Sequence, residues 1–298
     1  MTDQLLRGEF PESQIRFAFC EGAELCSEAV TRHQSDRISG WLLSEALLCA
    51  ALLSTTLKDD EKLTLRWIYP GPVGVITADM TERGEVRGFT QRVTLYPQVT
   101  TLEQAIGGRG RLSVVTSTRT ERLRTGITEA VFQNVPRDLA YFLSLSFQIE
   151  TALAVALRMP AESPLRVGSA AGLMLQPLPG CDALRFEAAR QSVEHPEFQA
   201  WLDAAPRAPE EVLGRVEAEG TPTVYEIVAP SYLCACSRGK AENVLRMLDP
   251  AELTDMLEKD GMAEINCHFC ANSYVFTAEE LGRMLRQSQA GNACTSGP

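Results

Sequence analysis

The sequence predicts an α+β fold: a large N-terminal domain with helices packed on a β-sheet, a helical linker, and a small C-terminal domain. Short segments of alternating polar and apolar residues predict strands in the first part of the chain, whereas longer apolar segments predict helices. The composition changes after Cys181, and four closely spaced cysteines lie near the C-terminal end. We therefore expect domains at residues 1–181 and 231–298, joined by a linker at residues 182–230.

The predicted strands come from period-two alternation. The runs QIRFAFC at residues 14–20 and LTLRWIY at residues 63–69 alternate as half-buried strands do. VGVITADM and VRGFTQRV flank the turn sequence TERGE, so these two strands are adjacent. RLSVVTST is a further β-rich run after a cluster of glycines. We expect these strands to form a mixed sheet with helices on one face.

Three apolar segments predict helices. Residues 23–33 and 39–57 form the first two, and the second is interrupted by Ser44 and Glu45. Its apolar core is shorter than the roughly 20 residues that cross a bilayer, so it predicts a buried helix and not a membrane span. Residues 138–158 carry apolar residues around most of a helix and predict a third one.

The segment at residues 182–230 has the composition of a linker. It contains ten acidic residues, four arginines, no lysine and five prolines. It also carries large apolar residues that predict weakly held helices: Phe186, Phe198, Trp201, Leu202, Val212 and Leu213. We expect low local stability here, although a plain tether between two domains has the same composition.

Charge and motifs exclude several classes of function. The net charge is −11 and the pI is about 4.9, whereas nucleic-acid binding requires clustered lysine and arginine. No signal peptide is visible, and the nine cysteines are an odd number, which predicts a reducing cytoplasmic compartment. The sequence lacks GxSxG, HExxH and P-loop motifs, so we predict that the protein is not an enzyme.

The chemistry is concentrated in four cysteines. Cys234 and Cys236 form a C-x-C pair, Cys267 and Cys270 form a C-x-x-C pair, and thirty residues separate the pairs. Four thiolates suit tetrahedral Zn²⁺, and they leave no open position of the kind that a catalytic zinc keeps. A disulfide within the C-x-C pair would be strained, because residues i and i+2 of an extended chain lie about 6.5 Å apart. The spacing therefore allows both a permanently reduced structural site and a redox-responsive one.

The C-terminal segment predicts short elements around these pairs. Asp249, Pro250 and Glu252 predict a helix start, and Thr277 with Glu280 predicts another. The C-x-x-C pair then lies in a turn between two short strands. His268 lies between the two cysteines of this pair, but four sulfurs already complete the zinc site.

These motifs resemble the redox-switched bacterial heat-shock holdase family, the 33 kDa chaperonins, over almost the whole chain. The resemblance is carried by the cysteine spacing with Tyr274 nearby, by LTLRWIYPGPVGVITADM with GEVRGF, and by SFQIETALAVAL and GSAAGLMLQPLPG. Two departures are Phe147, where the family pattern has an acidic residue, and LRTGIT, where the family has an aromatic before the glycine.

The resemblance implies a redox-regulated, ATP-independent chaperone of the stress response. It implies one zinc per chain, held in the reduced state by Cys234, Cys236, Cys267 and Cys270. It also implies that oxidation forms disulfides within each near-neighbour pair, releases zinc and loosens the linker. The activated protein would be a homodimer that binds unfolded or partly folded client proteins, with no nucleic-acid or membrane partner.

Two other classes of function share parts of this pattern. A zinc-ribbon module would bind nucleic acid or a transcription complex, which the acidic charge of residues 231–298 disfavours. A thiol-disulfide oxidoreductase would place its C-x-x-C next to a βαβ unit, and here a short strand and a turn are predicted instead. The other five cysteines have no metal-type spacing and are expected to be buried free thiols: Cys20, Cys26, Cys49, Cys181 and Cys294.

Overall fold

The chain folds into two units, and the boundary between them lies between Leu233 and Cys234, directly before the first clustered cysteine. The computed structural model describes residues 2–118, 120–160, 165–204, 207–217 and 220–294. Within these ranges the strands are β1 (Gln4–Phe10), β2 (Ile15–Glu21), β3 (Lys62–Ile68), β4 (Val75–Thr81), β5 (Glu85–Thr90), β6 (Gly110–Ser117), β7 (Arg122–Ala130), β8 (Ala152–Arg158), β9 (Ser169–Pro177), β10 (Thr223–Val228), β11 (Ser231–Tyr232), β12 (Met262–Asn266) and β13 (Ser273–Thr277).

The helices in the described ranges are α1 (Ala23–His33), α2 (Arg37–Ser54), α3 (Leu102–Ile106), α4 (Val135–Ser146), α5 (Ala183–Glu194), α6 (Pro196–Ala204), α7 (Pro209–Val216), α8 (Arg238–Arg246), α9 (Pro250–Lys259) and α10 (Ala278–Cys294). The α+β fold class predicted from the sequence is confirmed. The strands predicted from alternation are also confirmed as β2, β3, β4, β5 and β6.

The strands of the first unit form two sheets, so the expectation of one mixed sheet is wrong in this detail. One sheet has the order β10-β1-β2-β9-β8 and is antiparallel throughout. The other has the order β11-β5-β4-β3-β6-β7, with β11 parallel to β5 and the remaining pairs antiparallel. Helix α2 contacts strands of both sheets and is therefore the helix around which the unit is built.

Helix α2 is buried on nearly all sides. Its sequence is apolar around the full circumference, as expected for a helix inside a core, and Asp36 caps its start by accepting from Ser39 N at 2.8 Å. Among the described residues it is the one helix with the length and hydropathy of a membrane span, and 83% of it is buried within the protein. The prediction of a buried helix at residues 39–57 is confirmed.

The prediction of one helix over residues 138–158 is wrong. The chain forms α4 and then β8, which pairs with β9. Helix α4 ends at Phe147, and Gln148 takes a left-handed conformation with φ of 56°. Residues 152–158 alternate little because β8 is buried on both faces, and periodicity alone does not separate such a strand from a buried helix.

The described parts of residues 182–230 belong to the first unit and are not a separate linker between the two units. The apolar residues noted in the sequence lie on α5, α6 and α7 and join one core cluster with Phe10, Phe17 and Leu175. Trp201 packs partly buried against that cluster, with the guanidinium groups of Arg207 and Arg215 each 4.6 Å from its ring centroid. The helices predicted in this segment are present.

The second unit is small. Helices α8, α9 and α10 and the β12-β13 hairpin share a core of seven buried residues: Ala241, Leu245, Leu253, Ala263, Phe276, Leu281 and Met284. Asp249 and Glu252 form the predicted capping box at the start of α9. Glu280 accepts from Thr277 N at 2.9 Å at the start of α10, so both predicted helix starts are confirmed.

Candidate metal centre

The four clustered cysteines lie on two segments of the second unit. Cys234 and Cys236 lie on the segment before α8, whose first turn is capped by Ser237. Cys267 and Cys270 lie in the turn between β12 and β13. The turn is closed by the backbone bond from Ala271 N to Cys267 O at 2.8 Å, and Ala271 has a φ of 56°. A left-handed residue is what lets the chain reverse within so few residues.

The fold brings the four sulfur atoms together. All four Sγ atoms lie within 4.8 Å of one another. The Sγ atoms of Cys234 and Cys267 are 3.6 Å apart, and those of Cys236 and Cys270 are 3.3 Å apart. Four Zn–S bonds of about 2.3 Å at tetrahedral angles place neighbouring sulfurs about 3.8 Å apart. The four cysteines are therefore positioned to bind a metal ion, and the all-sulfur donor set fits zinc.

His268 is not a member of this group. Among the described residues, the cluster of possible metal ligands consists of the four cysteines alone. This agrees with the argument that four sulfurs complete a tetrahedral site.

Tyr274 contacts the cluster in a way that the sequence did not predict. Its hydroxyl oxygen lies 3.1 Å from Sγ of Cys236. Tyr274 is on β13, where Ile265 of β12 is its cross-strand partner, so the hairpin fixes the position of the phenol ring. The sequence identified Tyr274 only as an aromatic residue close to the C-x-x-C pair, because the reach of its hydroxyl to the other pair depends on the tertiary fold.

The thiols of the cluster are not equivalent. Burial opposes ionisation of Cys236, but hydrogen bonds with Tyr274 and the other three cysteines outweigh it and lower its pKa from 9.0 to about 7. Burial raises the pKa of Cys267 and of Cys270. The hydrogen bond with Cys236 raises the pKa of Tyr274 to about 12. Of these three thiols, that of Cys236 therefore stabilises a negative charge best.

The other cysteines whose side chains the structure describes are not part of such a cluster. Cys20, Cys26 and Cys49 are buried in the first unit, and burial raises the pKa of each thiol, that of Cys26 to about 12. Protonated, buried thiols react slowly. Cys181 is half-buried with a raised pKa, and the side chain of Cys294 lies outside the described residues.

Comparison with known proteins agrees with this site. The family model described as "Hsp33 protein" matches residues 3–277. The chain belongs to the Hsp33 family. A 33 kDa chaperonin from Desulforamulus reducens is 31% identical over 291 residues, covering 96% of this chain and 98% of the relative. One from Geobacillus sp. (strain WCH70) is 28% identical over 297 residues, covering 98% of this chain and 100% of the relative.

The fold of the Hsp33 family is matched as well. The crystal structure of the 33 kDa chaperonin from Thermotoga maritima superposes with a TM-score of 0.88 at 27% identity, covering 97% of this chain and 100% of that one. The resemblance stated from the motifs is thus confirmed. The chain is a member of a chaperone family, and the relatives are named for a non-enzymatic role.

The two departures from the Hsp33 pattern lie side by side in the first unit. The ring of Phe147 lies edge-on to Phe142 at 5.3 Å, and the guanidinium of Arg124, from LRTGIT, lies 4.8 Å from the Phe147 centroid. Gly126 faces the same aromatic pair, because a Cβ there would lie 2.7 Å from the Phe142 ring. Nothing in the structure explains Thr125 in place of an aromatic.

Proposed function

We propose that the protein is a redox-regulated, ATP-independent holdase that binds unfolding proteins under oxidative stress. The observation that carries this proposal is the cluster of four thiols within 4.8 Å of one another, in a small unit whose described apolar core cluster has seven buried residues. Such a small core stabilises a fold weakly, so metal binding would supply much of its stability, on the order of 10 kcal/mol.

In the reduced state, the thiolates of Cys234, Cys236, Cys267 and Cys270 would hold one zinc ion per chain, whose role is structural. Family membership supports this assignment, together with a donor set that leaves no position for substrate. The same absence of an open position supports a non-enzymatic role.

Oxidation of the four thiolates to disulfides would remove the proposed zinc ligands. Each disulfide forms when two thiols lose two electrons and two protons to peroxide or hypochlorite, which is reduced to water or to chloride and water. We propose the pairs Cys234 with Cys236 and Cys267 with Cys270. The second unit would then lose the interactions that keep it folded, and reduction by cytoplasmic thiols would restore them.

The segment at residues 182–230 would transmit this change. Its helices α5, α6 and α7 cover apolar residues of the five-stranded sheet, among them Phe17 and Leu175. If these helices loosen, that apolar surface becomes available to unfolded or partly folded clients without ATP. We further propose a homodimer as the activated form and the cytoplasm as the compartment, with no nucleic-acid or membrane partner.

The test is a paired measurement on reduced and oxidised protein. A chelating chromophore should detect about one zinc per chain released on oxidation, in step with loss of four free thiols, and only the oxidised protein should suppress light scattering by an aggregating client. Loss of the thiols while zinc stays bound would refute the switch. Equal protection of the client by both forms would refute the regulation.

A further inference from the structure

The last residues of the first unit are held at the edge of the six-stranded sheet. Strand β11 runs parallel to β5, and the backbone bonds Ser231 N to Gly84 O, at 3.1 Å, and Leu233 N to Val86 O, at 2.9 Å, form this attachment. Cys234 follows directly. A two-residue edge strand is weak by itself, so other interactions must hold this segment in place.

Tyr232 supplies such an interaction. Its side chain is buried, and its hydroxyl donates to Gly88 O at 2.9 Å. Nε2 of His33, at the end of α1, lies 3.1 Å from the same hydroxyl. Because the phenol has one proton and Gly88 O accepts it, Nε2 of His33 carries the hydrogen of the second bond. His33 is 8% exposed and Tyr232 7%, so water does not readily replace these bonds.

On the preceding strand the side-chain contacts are exposed, among them a hydrogen bond from the Tyr225 hydroxyl to Glu9. On β10 the large apolar side chains of Val224, Tyr225 and Ile227 are 41%, 59% and 61% exposed. Backbone pairing with β1 holds this strand, helped by an ion pair of 2.7 Å between Arg7 and Glu226 whose side chains are about half exposed. Ion pairs between exposed side chains contribute little to the free energy of unfolding, so this one does not hold the strand strongly.

The burial pattern therefore singles out Tyr232. Among residues 220–233 the buried positions are Pro230 and Tyr232 alone, and Tyr232 is the one with a polar group bonded inside the unit. Cys234 is two residues further on, so its Cα can lie no more than about 7 Å from that of Tyr232. Because only one residue separates Tyr232 from Cys234, a rearrangement of the C-x-C segment should displace Tyr232 as well.

We propose that Tyr232, bonded to His33 and Gly88, is a latch that keeps residues 223–233 on the first unit while the cysteines are reduced. Release of this latch links disulfide formation at Cys234 to loosening of the segment before it. This inference rests on the proposed function for the cysteine switch, and it assigns Tyr232 and His33 as positioning residues that set the threshold of that switch.

The test compares Tyr232→Phe, which removes only the hydroxyl, with Tyr96→Phe, the same change at a tyrosine of the first unit that is 65% exposed. In reduced Tyr232→Phe, the amides of Ser231 and Leu233 should exchange roughly tenfold faster, the size expected for loss of a buried hydrogen bond. The variant should also reach half-maximal chaperone activity at a lower peroxide dose. Its zinc content in the reduced state should equal that of the wild type, and Tyr96→Phe should change none of these readouts.

Variants at His33 test the same hydrogen bond from its other side. His33→Ala should reproduce the faster exchange, His33→Gln, which keeps an N–H donor, should restore part of the protection, and the double variant His33→Ala with Tyr232→Phe should add little to either single change. Additive effects of the two changes would overturn the latch. So would zinc loss from reduced Tyr232→Phe, since the hydroxyl would then serve the second unit.

Different results would refute the Tyr232 latch and the proposed holdase function. If oxidised wild type suppresses aggregation but Tyr232→Phe matches wild type in exchange and threshold, the latch is wrong and the holdase proposal stands. If oxidation activates neither protein, the holdase proposal fails. The exchange rates of the reduced proteins then still show whether Tyr232 holds the segment.

Discussion

The hydroxyl of Tyr274 and Sγ of Cys236 lie 3.1 Å apart, so one side chain of the β12-β13 hairpin contacts a cysteine of the opposite segment. This contact places a neutral donor beside a sulfur whose pKa is lowered to about 7. Residues that donate to a metal ligand fix its orientation and stabilise its charge, and their loss typically lowers metal affinity 10- to 100-fold. Tyr274 therefore belongs to the candidate metal centre without being one of its proposed ligands.

Replacing Tyr274 by Phe should lower zinc affinity by about 10- to 100-fold, because the sulfur of Cys236 loses its hydroxyl donor while the ring is kept. Competition with a chromogenic chelator on the reduced protein measures this change. Tyr96→Phe, at a tyrosine that is 65% exposed in the first unit, is the control and should bind zinc as the wild type does. Unchanged affinity in Tyr274→Phe would show that the hydroxyl does not support the site.

Serine at any of Cys234, Cys236, Cys267 or Cys270 should lower zinc affinity roughly a hundredfold or more, since each sulfur is one of the four proposed ligands. Zinc content after dialysis against a weak chelator provides the measurement. Cys181→Ser is the matched control, because Cys181 is also half-buried and lies outside the cluster. Cys20→Ser and Cys49→Ser should likewise leave the zinc content unchanged. Similar losses in both sets would remove the basis for the assignment.

Peptide mapping of the oxidised protein should find disulfides Cys234–Cys236 and Cys267–Cys270. In the structure the short Sγ separations of 3.3 and 3.6 Å run across the pairs, between residues 34 and 33 positions apart. A cross-pair disulfide needs the unit to stay folded, whereas the ends of a C-x-C or C-x-x-C loop stay close after it opens. Recovery of Cys234–Cys267 and Cys236–Cys270 as the main products would mean that oxidation occurs within the folded cluster.

The sequence predicted the site more completely than the fold. Metal-type spacing is a local property, so C-x-C and C-x-x-C identified four cysteines that the structure brings within 4.8 Å. Strand β8 was missed because both its faces are buried, with helices α2, α4, α5 and α6 in contact with it, and burial on two faces removes the alternation that predicts a strand. Contacts such as that of Tyr232 with His33 join residues 199 positions apart and leave no local pattern.

The stability of the first unit should depend on pH through Glu45. This residue lies on the buried helix α2, where Trp41 Nε1 donates to its carboxylate at 3.0 Å. Burial raises the pKa of Glu45 from 4.5 to about 7. The folded state then binds a proton that the unfolded state has already lost, so stability falls as the pH rises through this range. Above about pH 7 the carboxylate is ionised in both states, and burying its charge then lowers the free energy of unfolding by about 3 kcal/mol.

Glu45→Gln keeps the shape of the side chain and removes this titration. Guanidinium unfolding of reduced protein at about pH 5.5 and about pH 8, followed by circular dichroism, compares the two proteins. Wild type should lose about 2 kcal/mol more than the variant between these pH values, and the double difference cancels the other titrating groups. Equal losses in the two proteins would place the pKa of Glu45 in its ordinary range.

On oxidation, the rate of amide hydrogen exchange should rise far more in residues 182–217 than in strands β3 and β4. The helices of this segment are short and bury one face each, whereas β3 and β4 lie inside a six-stranded sheet. Segments with few buried contacts open at the lowest free energy. Exchange measured by mass spectrometry on reduced and oxidised protein separates the two regions.

Trp201 reports the same event by fluorescence. In the reduced protein its ring is flanked by Arg207 and Arg215 at 4.6 Å, so loosening of α6 and α7 should move its emission toward that of a solvated indole. Trp201→Phe defines the background from Trp41 and Trp67, the second of which is fully buried on β3. The gain in chaperone activity should follow this shift in time and not the earlier loss of thiols. Oxidised protein that protects clients while Trp201 and the amides of this segment stay as protected as before would show that loosening of the segment is not the trigger.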